Sequence, residues 1–548
     1  MAGVAERTQP RAAEAKATLN LIDSETRKEN SDLTPVCAAK PVRPLHVLFV
    51  YPNTLLTNRI PLALSVLSAC LRQVGHRTSL FDTTFLKIEE EHSDEEARYA
   101  TLQVREADLR QYGVDWQRVE DVEQMFRRRV LQERPDLIAV TVVENTYAIA
   151  LRLLQAVRDL GIPTVLGGVR VTTEPESVIA EDCVDILCTG EGESALVELC
   201  NALAAGDDIA GIANLWVKQN GTVHRNPMRP VTDLATLPRQ DWSIFEERHL
   251  YRPLGGIVYR MGNFEMSRGC PFKCQYCIEP GYAEIYRGLQ PKSNLREKPL
   301  ELTIDEIAHF KETDGINLAY FHDETFLAMP LARFEKFCAL YTRRIGLPYA
   351  IQTTASTITA RTARMLEDSG CINIAIGLET GNEEFRRTVL KKNVTNKHII
   401  DAFRILKQHR KIRATANNII GLPYETRELI METFEMNRQA DPAATNVNLF
   451  YPYRGSPLRE LCIKEGFITG KEEPIGYRTG TILTMPQISK RTLMALQKTF
   501  QFYIRLPRLL MPLVRLLERA IERERSYANL FFKAMVFVYK TWTRNRYG

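Results

Sequence analysis

Short apolar strands alternate with amphipathic helices twice along this chain, and that alternation leaves few folds open to it. The first run starts at Leu45. Residues His46–Val50 read as a buried strand, Ile60–Val74 as a helix stopped by Gly75, and Arg77–Phe81 as a second strand. Residues 86–134 read as a charged helical insertion. Strands follow at Leu137–Val143, Pro163–Leu166 and Asp185–Cys188, the last leading through Gly190-Glu191-Gly192-Glu193 into a helix. This pattern predicts a Rossmann-like (flavodoxin-like) parallel sheet covered on both faces. The second run predicts strands at Asn263–Ser267, Asn317–His322, Tyr349–Thr354, Ile372–Ile376, Ala414–Ile420 and Asn446–Phe450. Helices are expected near 303–313, 330–343, 359–369, 395–409 and 425–438. Six β/α units fit a partial (β/α)6 barrel of the TIM type, an α/β fold in which chemistry gathers at the carboxyl ends of the strands.

A chain of 548 residues is too long for one core. The expected divisions are a disordered leader over 1–44, a first α/β domain over 45–206, a connector over 207–262, a barrel over 263–470 and a helical region over 471–548. Within the connector, Asn220-Gly221 is a hairpin signal, and the segment around Pro238 is expected to cross between the domains. The leader lacks the apolar core of a secretory signal, and no run of about 18 apolar residues predicts a spanning helix. Eleven cysteines lie scattered outside any disulfide framework, which suits reduced thiols in the cytoplasm.

Between the two runs of alternation lies Gly269-Cys270-Pro271-Phe272-Lys273-Cys274-Gln275-Tyr276-Cys277, directly after the first barrel strand. The spacing Cys-x-x-x-Cys-x-x-Cys can turn three sulfurs towards one point. No Cys or His stands close behind Cys277; the next are His309 and Cys338. Three readings of the residues stay open. One is a zinc site borrowing a distant fourth ligand, one is a disulfide with a spare thiol, and one is a 4Fe-4S cluster with one iron left without a protein ligand. Gly269 permits the tight turn that converging thiolates demand, and Pro271 suits a loop.

With an aromatic residue, Tyr276, before the last cysteine, the loop resembles the signature of the radical S-adenosylmethionine (SAM) enzymes. The resemblance implies a 4Fe-4S cluster on Cys270, Cys274 and Cys277, with SAM on the open iron. It also implies that Asp323 and Glu324 hold the SAM amino group, that Glu379 holds ribose or sulfonium, and that Gly421 and Leu422 lie against adenine. Carboxylates suit the cationic parts of SAM, although a carboxylate at a helix start also satisfies free N–H groups, the reading favoured for Glu425. Thr353, Thr354, Asn417 and Asn418 are candidate pocket residues, and Tyr451, Tyr453 and Arg454 at the end of the last strand read either as facing substrate or as closing the barrel mouth.

In the first domain the strand ends carry Asn53, Glu144, Asn145, Thr146, Gly167, Gly168, Arg170, Gly190 and Glu191, the edge where such sheets bind ligands. The stretches "GGVRVTTEPE" and "VDILCTGEGES" resemble the cobalamin-binding domain that precedes many radical SAM cores. That resemblance implies cobalamin held by Asn53, Asn145, Thr146, Gly168, Arg170, Gly190 and Glu191. The family's cobalt-ligating His is missing: none lies between Pro52 and Gly75, and His76 falls at the opposite end of the sheet. A lower face left open or to water is the corresponding expectation.

Residues 504–548 hold 8 Arg, 2 Lys and 3 Glu, a charge of +7 that leaves −2 for the rest of a chain whose net charge is +5. Leucines 506, 510, 513 and 517 repeat at helical spacing beside these arginines. The region reads either as a lid on the barrel or as a surface helix at an anionic membrane, or one admitting a lipid-like substrate. Nucleic acid is not expected, because the basic residues sit among aliphatics. The implied function is a cobalamin-dependent C-methyltransferase working through a 5′-deoxyadenosyl radical on a small-molecule or lipid-like substrate. An electron donor such as flavodoxin or ferredoxin is implied with it. A radical SAM cyclase or rearranging enzyme, and one binding no cobalamin, stand as alternatives. The expected site of action is the cytoplasm, with peripheral contact at the inner face of the membrane through the tail.

Overall fold

The computed structural model describes residues 41–547 apart from 89–93, 106, 292–293 and 473–479. The expected leader falls almost wholly outside these residues. The first sheet is built from β1 (His46–Tyr51), β2 (Arg77–Asp82), β5 (Leu137–Thr141), β6 (Thr164–Gly167), β7 (Ile186–Cys188), β8 (Leu215–Gln219) and β9 (Thr222–Arg225). Its order is β2-β1-β5-β6-β7-β8-β9, parallel as far as β7 and antiparallel beyond it. Strand order reverses direction at β1, and the crevice outside the carboxyl ends there is the usual ligand position of such sheets. Both faces are covered by apolar clusters, one around Phe49, Leu64 and Leu199, the other around Phe126, Val140 and Leu153.

The connector is more structured than its composition suggests. Asn220 and Gly221 both adopt positive φ and close the β8–β9 hairpin, which extends the first sheet. Further on, β10 (Tyr251–Leu254) folds back through Gly255-Gly256 onto β11 (Ile257–Phe264). The first barrel strand therefore begins earlier than expected, because the hairpin supplies it with a partner. The insertion also departs from expectation. It contains helices at Asp94–Ala100 and Val122–Glu133, but also a short parallel pair, β3 (Leu86–Ile88) and β4 (Gln117–Val119). Three residues of apolar alternation are too few to announce a strand against a charged background.

Beyond the short ribbon of β12 (Ser267–Arg268) and β13 (Arg296–Glu297), the barrel strands are β14 (Leu318–Phe321), β15 (Tyr349–Thr353), β16 (Cys371–Glu379), β17 (Arg413–Ile420) and β18 (Ala444–Leu449). They run in sequence order β10-β11-β14-β15-β16-β17-β18, six of them parallel, as a curled sheet left open at its last strand. Buried aromatics on its outer side, including Phe321, Phe326, Phe337, Tyr341 and Tyr349, pack edge to face beneath the helices.

Two glutamines shield the β18 end of the barrel. Gln103, from the insertion, accepts from the Val447 N–H at 2.8 Å and donates to its carbonyl at 3.1 Å, as a neighbouring strand would. Gln501, on the helix Lys490–Arg505, exchanges hydrogen bonds with Thr445. That helix buries Leu496, Phe500 and Tyr503 in one core with Phe434 and Leu449 of the barrel. It ends at Pro507, and Pro512 opens the next helix, Met511–Glu522, where a missing N–H costs nothing. We predict that Gln103→Ala, which strands two buried backbone groups on Val447, lowers stability by about 2 kcal/mol in a denaturant titration. An unchanged midpoint would show that water replaces the amide at no cost.

Candidate functional site

The cysteine loop leaves β12 at Gly269, whose φ of +86° and close approach to the Asn294 carbonyl admit no side chain; a Cβ would lie 1.9 Å from that oxygen. Its backbone is held from three sides. Asp323 accepts from the Met266 N–H and, at 2.5 Å, from the Ser267 hydroxyl, fixing the entry. Gln275 donates its N–H to the Leu390 carbonyl and accepts from Leu458 N–H, both at 3.0 Å. Cys270, Cys274 and Cys277 are half-buried and unpaired. Burial pushes all three thiols up, Cys277 to about 12, so a metal entering this loop must displace protons. The Thr325 hydroxyl lies 3.7 Å from the Cys270 sulfur. Among the described residues, no three or more Cys, His, Asp or Glu side chains are already gathered as a metal-holding set. The fit to an iron–sulfur cluster rests on the donor chemistry: three free thiols in one anchored loop.

Tyr276, between the last two thiols, donates its hydroxyl to Glu379 at 2.9 Å, and Lys392 donates to the same carboxylate at 2.8 Å. Glu379 ends β16 with a φ of +63°, beside a register shift between Gly377 and Glu379. A glutamate held in left-handed backbone is uncommon and marks a position fixed by its surroundings. Arg386 supplies that fixing. Fully buried, it donates to the carbonyls of Thr380 and Val394 and to Asn396. After β17, the Gly421 and Leu422 N–H groups both donate to Glu425, at 2.6 and 3.1 Å. Glu425 is completely buried with one carboxylate oxygen unpartnered, and burial pushes it up to about 8.

A cavity of about 510 Å³ opens between the carboxyl edge of the first sheet and the mouth of the barrel. From the first sheet, Thr141, Gly167, Gly168, Gly190, Glu191 and Gly192 line it; from the barrel come Gly269, Glu279, Tyr282, Tyr286, His322 and Glu324. Gly168, at φ +108°, packs its backbone against Val142 with no room for a side chain. The run of glycines leaves the strand ends bare, facing an apolar wall of Leu64, Leu67 and Leu196, which fits a bulky corrinoid. Glu324 opens into the cavity but is enclosed by protein elsewhere; that burial, with Glu279 adding repulsion, pushes its carboxyl up to about 7. His322 is pushed down to about 3 by burial and by Arg252 and Arg59, so its ring is neutral.

Two ion-pair networks join the walls. Glu191 meets Arg296 at 2.5 Å and Arg268 at 3.2 Å, while Arg268 also reaches Glu193 at 2.6 Å and Glu265 at 2.9 Å. Burial works to raise the Glu191 carboxyl, but the two guanidiniums outweigh it and hold it below the usual range. In the second network, Arg454 reaches Glu144 at 2.7 Å and Glu174 at 2.6 Å, and Arg170 approaches the same two carboxylates. Gln240 bolts the connector between them, accepting from Ser65 and Trp242 and donating to Glu306 and the Asn263 carbonyl.

Of the residues singled out from sequence, Gly168, Gly190, Glu191 and Glu324 line the shared cavity. Asn53, Asn145, Thr146 and Arg170 stand outside its lining. Asn53 ties its own loop to Thr57 and Thr84, Thr146 bonds back to Val143, and Arg170 belongs to the second network. Asp323 and Gly421 are engaged with backbone or carboxylate as described, and Tyr276 and Glu379 with each other. Asn417 meets Asn446 inside the barrel at 2.9 Å, whereas Asn418 turns outward to Asn437. His76 bonds to the Leu45 N–H and Asn201, far from the cavity. Sequence reading missed Arg268, Arg296, Tyr282, Tyr286 and Lys392. Tyr282 and Tyr286 could have been found from their i, i+4 spacing just after the cysteine loop; the others carry no local signal.

The family model described as the Radical SAM superfamily matches residues 264–436, and that of the B12 binding domain matches residues 53–200. An uncharacterized methyltransferase of Pyrococcus horikoshii is 26% identical over 61% of this chain and 71% of its own length. The anaerobic magnesium-protoporphyrin IX monomethyl ester cyclase of Rubrivivax gelatinosus is 27% identical, and the match spans 61% of this chain and 60% of that protein. The radical SAM methyltransferase TsrM of Kitasatospora setae, solved with cobalamin and a 4Fe-4S cluster, has the same fold at a TM-score of 0.59 and 18% identity. The likeness covers 77% of this chain and 78% of that one.

The folded chain holds the Glu425 proton up to about pH 8, where an ordinary glutamate releases it near 4.5. Stability from the protonated form is complete below that lower value and declines as pH rises through the upper one. The melting temperature of wild type should therefore fall more steeply than that of Glu425→Gln between about pH 5 and pH 8. Parallel profiles would place the ionised form in the native protein.

Proposed function

We propose that this chain, matched over residues 264–436 by the Radical SAM superfamily model and over residues 53–200 by the B12 binding domain model, is a cobalamin-dependent methyltransferase acting on an unactivated carbon of a small molecule. One observation carries this reading: a single cavity is walled by the glycine-rich ends of the first sheet and by the start of the cysteine loop. When bound, the cluster supplies the electron that cleaves SAM to a 5′-deoxyadenosyl radical, and cobalamin supplies a methyl carrier. A one-electron donor such as flavodoxin or ferredoxin completes the requirement.

On this reading Cys270, Cys274 and Cys277 hold the cluster. Glu324, open to the cavity, takes the SAM ammonium. Asp323 acts at one remove, positioning the loop through Met266 and Ser267. Glu379 keeps Tyr276 and Lys392 in place behind the thiols, and Glu425 presents the Gly421-Leu422 turn to adenine. Gly168, Gly190 and their neighbours seat the corrinoid, and the tyrosines of the helix Glu279–Ile285 and its end bound it from the barrel side. The buried walls exclude water from a radical that would otherwise be quenched. The barrel interior offers amides, Asn417 and Asn446 among them, to a hydrogen-bonding substrate.

A second reading, ring closure or rearrangement without methyl transfer, is favoured by the likeness to the cyclase. Anaerobic reconstitution with iron, sulfide and hydroxocobalamin, followed by incubation with methyl-deuterated SAM and cell extract, separates the two. Deuterium in a product supports methyl transfer. SAM cleavage with an unlabelled product supports the second reading, and loss of corrinoid on desalting sets cobalamin aside. We predict that Glu324→Gln raises the SAM concentration for half-maximal cleavage about tenfold while leaving the cluster absorbance intact. An unchanged SAM dependence would move the ammonium site elsewhere.

A further inference from the structure

The last two helices do not behave like a lid over their whole surface. The helix Met511–Glu522 packs inward through Val514, Leu517 and Ala520, and the helix Ala528–Tyr547 through Ala528 and Met535, with Phe532 and Tyr539 against Phe502. Their other faces are apolar and bare. Leu509 is 88% exposed, Leu530 73% and Phe537 74%, with Leu513 and Leu516 about half exposed. Eight of the nineteen exposed large apolar residues among the described residues fall between Leu509 and Trp542, a concentration that scattered surface leucines do not produce. Leu513 and Leu516, at i, i+3 spacing, share one face of the helix Met511–Glu522, as Leu530, Ala534 and Phe537 do on the next, while Leu509 lies in the short turn just before the first.

The charges beside these stripes are almost all positive. Arg515, Arg519, Arg523, Arg525, Lys533 and Lys540 are exposed. The three glutamates of the region are engaged: Glu518 is buried against Arg427, Glu522 accepts from Thr492, and Glu524 meets Arg491. An apolar stripe edged by lysine and arginine is the build of a helix lying in a lipid headgroup plane, where basic side chains reach the phosphates while leucine and phenylalanine enter the acyl boundary. Among the described residues no helix is long and apolar enough to cross a membrane. A second copy of the chain fits less well, since a two-fold contact through this face would set each arginine row against its own image.

We propose that this face docks on the surface of an anionic lipid bilayer, with Leu513, Leu516, Leu530 and Phe537 inserted and the flanking arginines and lysines on lipid headgroups. The proposal does not depend on the reaction assigned above. The test is co-sedimentation of the full-length protein with phosphatidylcholine vesicles and with vesicles in which about one third of the lipid is phosphatidylglycerol. Binding is expected to the second, weakening as salt is raised. The variant Leu530→Glu/Phe537→Glu should bind at least about tenfold more weakly, and Arg515→Gln/Arg519→Gln should cut the preference for phosphatidylglycerol about tenfold. Because these side chains are exposed, far-UV circular dichroism and the melting temperature should match wild type. Absence of vesicle binding by wild type, or equal binding by the glutamate variant, overturns the proposal. So does a dimer, seen by light scattering, that the glutamate variant dissociates while vesicles leave it untouched.

Discussion

Arg268 sits at the last position before the cysteine loop turns, and its guanidinium leaves the barrel to meet Glu191 and Glu193 of the first sheet. The rest of the arrangement depends on that contact. Through it the loop that carries the thiols and the glycine-rich edge of the first sheet are held in one register, with Arg296, opposite Arg268 in the same ribbon, repeating the tie. Buried ion pairs of this kind add little net stability, because desolvation offsets most of the Coulomb gain. What they impose is orientation: an edge that slides has to leave charges stranded. The second network, Arg454 with Glu144 and Glu174, sets the other side of the same crevice. A cavity bounded in this way stays open with a defined width, which a reaction between two separately bound cofactors requires.

Around that crevice, most polar side chains act on backbone or on each other. Asp323 accepts from the Met266 N–H and the Ser267 hydroxyl and Glu425 from the Gly421 and Leu422 N–H groups, and burial pushes both carboxyls up, to about 7 and about 8. Arg386 spends its donors on carbonyls that shape the strained end of β16. Glu324 is different in facing open space. The two adjacent carboxylates lie in the turn just past β14, one holding the scaffold and one facing the cavity.

How much of this was legible beforehand depends on the range of the signal. Strand and helix alternation is local, and β14 to β18 fall within a few residues of their predicted bounds. The cysteine spacing is local as well, and so is the Asn220-Gly221 turn. The Gly255-Gly256 hairpin was overlooked because β10 contains Pro253 and four residues only. Sequence reading takes Arg170 and Glu191 as ligand contacts from their place after strands; Glu191 lines the cavity, and Arg170 stands outside its lining. The partners of Glu191, Arg268 and Arg296, lie 77 and 105 residues away, Arg454 lies 280 residues from Glu174, and no single-sequence pattern links them. Gln103 closing on Val447 across 344 residues is the same case. Periodicity reports which face of an element is buried; it does not report what it is buried against.

We propose that the cluster and the corrinoid face one shared cavity, lined by Gly269 at the start of the cysteine loop and by Gly168 and Gly190 of the first sheet. Electron paramagnetic resonance of the anaerobically reduced protein, loaded with both, tests it most directly. The account predicts a cob(II)alamin signal broadened by the neighbouring reduced cluster, relative to protein that carries cobalamin alone. Two unperturbed signals that simply add would contradict it.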